Sequence, residues 1–233
     1  MTIATTIDRD DAALVPQVAS RRDFAALMRA VCARAAAAWH MVLDIVPAQG
    51  GEAPRIVVSN WPFDTIQDVG TEALARLADS PVATFPGSRP RGWQPQALAA
   101  MTGHAPLRRL AEHGHGEVFA LKVRAGRQRH LALLSAPCAG AIDVDAVARG
   151  QIACGYALAR LAAARPGPDD DPLSEREREC LFWVAEGKTT AEVAVILAVS
   201  ANTVNSYVAH AIHKLAARNR AMAIAGAIRR GIV

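Results

Sequence analysis

The chain has 233 residues, of which 52% are hydrophobic and 21% are charged, and this balance excludes an intrinsically disordered protein. Lys and Arg number 26 against 22 Asp and Glu, so the formal net charge of +4 is too small to indicate nucleic-acid binding by itself. An apolar run of about 18 residues and a secretory signal are both missing from the sequence, so we expect a cytoplasmic protein.

The first part of the chain mixes helical and strand-like patterns. Ser20 is followed three residues later by Asp23 in the manner of a helix cap, and apolar residues then recur at helical spacing, which predicts a helix to about Trp39. Aliphatic runs at residues 41–46 and 55–59 predict two neighbouring strands. Later patterns predict a helix at 65–78, a loop at 81–95, a short helix at 106–113, strands at 117–123 and 129–134, and a long helix at 144–164.

This order of elements predicts an α+β domain, in which an antiparallel sheet is flanked by helices as an α-β-α sandwich. Residues 165–172 contain three prolines, one glycine and three aspartates, which neither continue a helix nor bury surface. We therefore expect a linker at 166–172, joining an N-terminal domain at 1–165 to a C-terminal domain at 173–233.

The C-terminal part has the start signals of four helices. They are two capping boxes, Ser174 with Glu177 and Thr189 with Glu192, and two single caps, Ser200 and Asn219. The predicted helices end near residues 186, 197, 215 and 230, so only a short turn separates the second from the third. This pattern predicts an all-α, four-helix domain of the helix-turn-helix type.

The third of these helices has two contrasting faces. Its apolar stripe is formed by Val204, Val208, Ala211 and Leu215. The opposite face carries short, mostly polar side chains, namely Asn202, Asn205, Ser206, Ala209, His210 and His213. Such a face fits the major groove of DNA, and Asn202 and Asn205 are the best base-reading candidates because Asn can form two hydrogen bonds with adenine. The alternative, a merely solvated polar face, stays open.

Basic residues are concentrated in the last part of the chain. Residues 169–233 hold eight acidic and eight basic side chains, but residues 200–233 contain no acid and have a charge of +5. This local excess is the footprint expected for contact with DNA phosphates. The remaining candidates for phosphate contact are basic or hydroxyl side chains of the same region, namely Lys188, Thr189, Thr190, Ser200, Thr203 and Lys214.

A family resemblance is carried by the segments Leu173-Ser-Glu-Arg-Glu, Gly187-Lys-Thr-Thr-Ala-Glu192-Val-Ala, Leu197-Ala-Val-Ser200, Thr203-Val204 and Lys214-Leu215. These segments closely resemble the C-terminal DNA-binding domain of LuxR-type transcriptional regulators. The resemblance implies a four-helix domain that binds double-stranded DNA, with a homodimer on a palindromic operator.

The N-terminal part resembles, more weakly, the autoinducer-binding domain of quorum-sensing LuxR proteins. The matching residues are Asn60-Trp61-Pro62, Asp79-Ser80-Pro81-Val82 and Gly92-Trp93. The resemblance implies a sensory and dimerisation domain whose ligand-contacting positions are Trp61, Thr65, Val69, Asp79 and Trp93. Thr65 stands where the family has a lactone-contacting Trp and Val69 where it has a Tyr, so a hydrogen-bond donor and aromatic surface are lost. The ligand therefore stays open between an acyl-homoserine lactone, another small apolar signal molecule and none.

Other chemistry has little support in the sequence. The segment His113-Gly-His115-Gly-Glu117 has no third metal ligand nearby, and we interpret it as a solvated turn. Four cysteines form no Cys-x-x-Cys pair and are interpreted as reduced thiols in the core, at Cys32, Cys138, Cys154 and Cys180. No catalytic arrangement can be argued from linear spacing, so we expect a protein that is not an enzyme.

Two hypotheses follow. The first is a dimeric transcription regulator that a small ligand controls. The second is a ligand-independent or sequestering partner that heterodimerises with another quorum-sensing regulator, which the altered ligand positions and the modest net charge favour.

Overall fold

The structure is a computed structural model that describes residues 15–45, 54–126, 128–163, 171–230 and 232–233. The chain divides into two compact units, the larger including Asp23–Ala163 and the smaller including residues 171–233. We call them the N-terminal unit and the C-terminal unit. Most of the predicted linker lies outside the described residues. Asp171 is described, and it is buried with its carboxylate paired to Arg178 of the C-terminal unit.

The N-terminal unit is built around a sheet whose five strands are antiparallel in the order β2-β1-β5-β4-β3. In chain order its elements are α1 (Arg21–Ala35), β1 (Trp39–Ile45), β2 (Arg55–Ser59), α2 (Phe63–Val69), α3 (Thr71–Ala75), β3 (Gly92–Trp93), α4 (Pro95–Thr102), β4 (Glu117–Ala125), β5 (Gln128–Ala136) and α5 (Val144–Ala163). The predicted strand pair at 41–46 and 55–59 is confirmed as β1 and β2.

The burial of β5 shows that helices cover both faces of this sheet. Every residue from His130 to Ala136 is buried, although successive side chains of a strand point to opposite faces. On one side α5 packs against β4, where the Gln151 amide donates to the backbone carbonyls of Thr84 and Lys122. The predicted α-β-α sandwich is confirmed.

Helix α1 is shorter than predicted. It ends at Ala35 because Ala36 adopts a left-handed conformation with φ of 54°, and the N–H of Ala37 bonds the carbonyl of Cys32. Trp39, predicted as the helix end, instead begins β1 and pairs with Ser135 of β5. Strand pairing with β5 therefore determines the conformation of Trp39, although the local sequence pattern predicts a helix.

The middle of the N-terminal unit also departs from prediction. The helix expected at 65–78 is interrupted by Gly70, whose φ of 78° separates α2 from α3, and it finishes as a 3-10 turn at Arg76–Asp79. The predicted loop at 81–95 contains β3, and Pro95 begins α4. The short helix predicted at 106–113 is a 3-10 turn at Ala105–Leu110. Cys138 is exposed, so the prediction of a core thiol is wrong at this position.

The C-terminal unit consists of the four predicted helices, α6 (Glu175–Ala185), α7 (Thr190–Ile196), α8 (Ala201–Lys214) and α9 (Arg220–Arg229). The predicted capping groups of these four helices are all present with their hydrogen bonds. Residues 197–200 join α7 to α8, with Ala198 at φ of 54°, and the two axes meet at 104°. This is the geometry of a helix-turn-helix.

Among the described residues, no single helix is long and apolar enough to span a membrane. The bent pair of α7 and α8 meets the length and composition criteria only when the two helices are taken together.

Candidate functional site

Helix α8 is oriented by its apolar stripe. Val204, Val208, Ala211 and Leu215 are all buried, and α8 packs on the other three helices of the C-terminal unit. The predicted DNA-facing side chains point away from this core, and the exposed ones on α8 are Asn202, Asn205, Ser206, Ala209, His210, His213 and Lys214. The structure therefore brings the candidate base-reading residues together on one exposed helix face.

The start of α8 is held by a hydroxyl pair. Ser200 Oγ accepts from the backbone N–H of Thr203 at 3.1 Å and lies 2.8 Å from the Thr203 hydroxyl. The same hydroxyls that were predicted to contact phosphate thus also fix the first turn of the helix.

Asn205 is linked to the neighbouring helix. Thr190 of α7 donates from its hydroxyl to Asn205 Oδ1 at 3.4 Å, while Ser206 donates to the backbone carbonyl of Asn202 at 3.1 Å. The side-chain oxygen of Asn205 is therefore oriented by Thr190 and keeps a second lone pair, and the NH₂ group is also left for another partner.

Lys214 forms a hydrogen-bonded ion pair with a buried carboxylate. Its Nζ donates to Glu177 Oε2 at 2.8 Å, and the same oxygen accepts from the backbone N–H of Ser174 at 2.7 Å. Burial raises the pKa of Glu177, but hydrogen bonds from Lys214 and Ser174 outweigh it and hold the pKa below its usual value. His210 Nδ1 lies 3.8 Å from the other carboxylate oxygen. Lys214 thus ties α8 to the start of α6.

The basic side chain at the start of α7 is also partly neutralised. Lys188 Nζ lies 3.8 Å from Glu192 Oε1, and hydrogen bonds from the backbone and hydroxyl of Thr189 lower the pKa of Glu192. Lys188 is half-buried, as is Thr190, whereas Thr189 is exposed. The positive charge at the start of α7 is therefore weaker than the presence of Lys188 alone indicates.

The predicted ligand residues divide into separate places in the N-terminal unit. Trp61 and Thr65 are buried within one helical turn of each other, and Val69 lines an open cleft of about 550 Å³ with Gly70 and His104. This cleft lies beside the ends of α2 and α4.

Asp79 and Trp93 have protein partners. Asp79 is 71% exposed at its side chain and forms an ion pair with Arg129. The indole N–H of Trp93 donates to the carbonyl of Val82 at 3.2 Å. Both side chains are therefore already engaged with groups of the N-terminal unit.

A residue that the sequence interpretation set aside lies against Trp61. His115 is fully buried, so its assignment to a solvated turn is wrong. Its ring lies between those of Trp39 and Trp61, with a centroid separation of 4.4 Å in each case. Burial first, and the nearby charge of His113 second, lower the pKa of His115 to about 4. The two tryptophans are distant in sequence, which explains why no local signal marked this residue.

Comparison with known proteins identifies the C-terminal unit. Residues 171–227 match the family described as bacterial regulatory proteins, luxR family. The C-terminal unit thus carries the similarity to the luxR family. The transcriptional activator protein AhyR of Aeromonas hydrophila is 44% identical over 68 residues, which are 28% of this chain and 26% of AhyR.

One relative matches a segment longer than residues 171–227. RpaR of Rhodopseudomonas palustris, a quorum sensing-dependent transcriptional regulator, is 41% identical over 95 residues, 39% of each chain. The chain thus matches well under two thirds of the length of these relatives. The crystal structure of Escherichia coli SdiA is similar along 96% of both chains, with a TM-score of 0.50 and 22% identity, which shows a shared fold.

Proposed function

We propose that the chain is a transcription regulator that binds DNA through the exposed face of α8. The observation that carries the proposal is the pairing of a buried apolar stripe with an exposed face of Asn, Ser and His side chains, in a stretch from 200 to 233 that has no acidic residue. AhyR and RpaR, which are similar to part of the chain, are named as transcriptional regulators.

The proposed complex is a homodimer on a palindromic operator, with one α8 in each of two successive major grooves. In this arrangement Asn205 and Asn202 face base edges. Ser206, Ala209, His210 and His213 lie along the same groove-facing surface. Phosphates are contacted from the helix starts and ends, by Lys188, Thr189, Thr190, Ser200, Thr203 and Lys214.

The hydrogen bond from Thr190 orients the amide of Asn205. Oδ1 accepts from the Thr190 hydroxyl at 3.4 Å and keeps a second lone pair, so the oxygen and the NH₂ group together can still pair with adenine. Thr190→Val removes this orienting donor and is expected to weaken the preference for adenine at that position.

The decisive experiment is selection of binding sites from random DNA, followed by titration of the selected and of random duplexes. Asn205→Ala is expected to cost about 1–3 kcal/mol of discrimination at one base position while random-sequence binding stays unchanged. Lys214→Ala is expected to weaken both duplexes and to flatten the salt slope by up to about one, while Lys214→Arg restores the slope. Glu186→Gln, at an exposed position, is the control. If Asn205→Ala keeps the parent's selected sequence, α8 is not the reading helix.

A small ligand acting on the N-terminal unit is the second part of the proposal. It is supported by the fold shared with SdiA and by the burial of Trp61 and Thr65 in the interior. Asp79 is placed outside this ligand site because it is exposed and paired with Arg129.

The exposure of Asp79 also favours a second candidate function. Because the acid at this position does not lie in the interior, a chain that acts without a ligand is the competing proposal. Such a chain heterodimerises with another quorum-sensing regulator and so removes that regulator from DNA. Native mass spectrometry of the purified chain, mixed with duplexes taken from the random pool before and after selection, separates the two. A homodimer on one duplex supports a regulator, and a monomer without DNA affinity supports a sequestering partner.

A further inference from the structure

Two imidazoles lie on the exposed face of α8 beside its last cation. The helix runs from Ala201 to Lys214, and Lys214 is the one residue in this range that carries a fixed charge. The rings of His210 and His213 are exposed, and 67% of the His210 side chain is accessible. Histidine gains a proton between about pH 8 and pH 5, so the charge of this face of α8 depends on pH.

The fixed charge of Lys214 is already matched inside the C-terminal unit. Its Nζ donates to Glu177 Oε2 at 2.8 Å. Burial raises the pKa of Glu177, but the hydrogen bonds from Lys214 and Ser174 bring it below its usual value, so the carboxylate is ionised wherever histidine titrates. The pair of Lys214 and Glu177 therefore adds no net charge to the surface, and the two imidazoles decide the charge of α8.

The helices packed on α8 bring one charged group to these rings. In the described part of the chain, Glu177 is the charged residue of α6, α7 and α9 that contacts a histidine of α8, with Oε1 3.8 Å from His210 Nδ1. Glu192 of α7 lies 3.8 Å from Lys188, and Arg220 of α9 donates to the carbonyl of Lys188. Further ion pairs of α6 are Arg176 with Glu179 and Arg178 with Asp171. Because Glu177 already has a cationic partner, each proton taken up by a ring raises the net charge of this face by one.

We propose that His210 and His213 are proton-dependent contacts to DNA phosphates, through which a fall in pH strengthens the binding of DNA by the exposed face of α8. The proposal rests on the DNA binding proposed above and names a regulation of that site. A protonated imidazole donates from both nitrogens and makes charge-assisted hydrogen bonds with phosphate oxygens, whereas a neutral ring has one donor and no charge.

The direction of the effect follows from linkage. A phosphate beside an imidazole favours its protonated form, so the complex holds protons that the free chain lacks. Because the coupling between two bound species is reciprocal, a lower pH then increases the affinity for DNA. The chain should take up protons when it binds a duplex.

The size of the effect follows from counterion release. Each additional phosphate contact steepens the salt slope by about 0.9, which corresponds to about eightfold in affinity at about 0.1 M salt. We expect the parent to bind about tenfold more tightly at pH 6 than at pH 8, with a steeper salt slope at pH 6. Random and selected duplexes should gain equally, because phosphate contacts carry no sequence information.

The test titrates the full chain with both duplexes between pH 8 and pH 6 at several salt concentrations. The double variant with His210→Gln and His213→Gln keeps neutral polar side chains at exposed helix positions, and its affinity should be the same at both ends of the range. Each single substitution should remove part of the gain. His213→Arg fixes one positive charge, so it should tighten binding at pH 8 and weaken the remaining pH dependence.

A histidine of the N-terminal unit supplies the matched control. His104 lies half-buried at the open cleft, so His104→Gln should keep the parent's pH dependence of DNA binding. Thermal unfolding at each pH verifies that every variant is folded. Calorimetry of binding in two buffers with different enthalpies of ionisation counts the protons directly, and we expect uptake by the parent and none by the double variant.

The possible failures are distinguishable. Parental pH dependence in the double variant, or DNA binding by the parent without proton uptake, overturns this inference and leaves the proposed function in place. A gain on the selected duplex that is missing on the random one contradicts phosphate contact by these rings. Absence of DNA binding at every pH overturns the proposed function, and this inference with it.

Discussion

The two units bury different kinds of polar side chain. In the N-terminal unit the buried polar residues are neutral, and they include His40, Thr65, His115, His130 and Ser135. In the C-terminal unit they are the carboxylates Asp171, Glu177 and Glu179. The carboxylates have basic partners, as the Glu177 pair with Lys214 and the Asp171 pair with Arg178 demonstrate.

This difference sets the cost of removing one partner. A buried carboxylate is tolerated only when a cation and hydrogen bonds satisfy it, so Glu177 fastens α8 to α6, and Asp171 fastens the segment before α6 to Arg178. A buried neutral group can remain unpaired at a smaller cost, as His115 Nε2 does among the described residues. We therefore expect loss of a partner to destabilise the C-terminal unit more than the N-terminal unit.

The largest effect is expected for Glu177→Ala. The substitution removes the capping box of α6 and the charge-assisted hydrogen bond from Lys214, which should destabilise the C-terminal unit by about 3 kcal/mol. Hydrogen exchange of the full chain, resolved by peptide, should be faster in the helices of the C-terminal unit, α6 and α8 included, and unchanged in the N-terminal unit. Glu186→Ala, an exposed glutamate at the end of α6, should stay within about 0.5 kcal/mol of the parent. Unchanged protection in α6 would contradict the structural role of Glu177.

A somewhat smaller effect is expected from pH in the N-terminal unit. The pKa of His115 is about 4 in the folded chain against 6.5 in the unfolded one, so between these values only the unfolded chain binds the proton. The free energy of unfolding should therefore fall as pH is lowered through this range, by about 2 kcal/mol between pH 7 and pH 5 for His115 alone. Urea unfolding of the parent and of His115→Phe measures the difference, and identical pH dependence in the two chains would refute it.

Substitution of one helix glycine in each unit compares how tightly the helices of the two units are packed. A Cβ at Gly150 of α5 would lie 2.4 Å from Val31 Cγ1, whereas a Cβ at Gly226 of α9 would meet no atom within 4 Å. Gly150→Ala is expected to destabilise by about 1 kcal/mol, because overpacking outweighs the gain in helix propensity. Gly226→Ala is expected to stabilise by up to about 1 kcal/mol. Thermal unfolding of both variants should give Tm shifts of opposite sign, and shifts of the same sign would show that Val31 moves aside.

The C-terminal unit was predictable because its signals are local. Capping hydroxyls, the glutamates three residues later and the apolar stripe of α8 lie within a few turns of one another in sequence. The contacts that the sequence does not predict there are long-range. The ion pair between Lys214 and Glu177 joins residues 37 positions apart, and phosphate contact by Lys214 stays a prediction. The hydrogen bond between Thr190 and Asn205 likewise crosses from one helix to the next.

The N-terminal unit was predicted in outline only. The strands with clear aliphatic runs and the helix α5 were found, but β3 has two residues and exists through its pairing with Phe119 and Val118 of β4. His115 was read as solvated because Gly residues flank it, and only the packing of Trp39 and Trp61 reverses that interpretation. Sites assembled from distant segments leave no periodic pattern in the sequence.

Substitutions of Ser200 distinguish its role in the fold of the C-terminal unit from its proposed contact with DNA. The change in stability expected for them is the smallest. Ser200→Ala removes the cap of α8 and should destabilise by about 1 kcal/mol, while Ser200→Gly should cost only a few tenths. Ser200→Asp keeps a capping oxygen and suits the positive end of the helix, so the stability should match the parent.

DNA binding should rank the same three variants differently. In Ser200→Asp the new negative charge lies where a phosphate is proposed to approach, so the affinity for random and for selected duplexes should fall together, and more steeply at low salt. Ser200→Gly should bind nearly as the parent does. If Ser200→Asp binds DNA like the parent at low salt, the start of α8 faces away from the phosphates, and the proposed orientation of the helix on DNA is wrong.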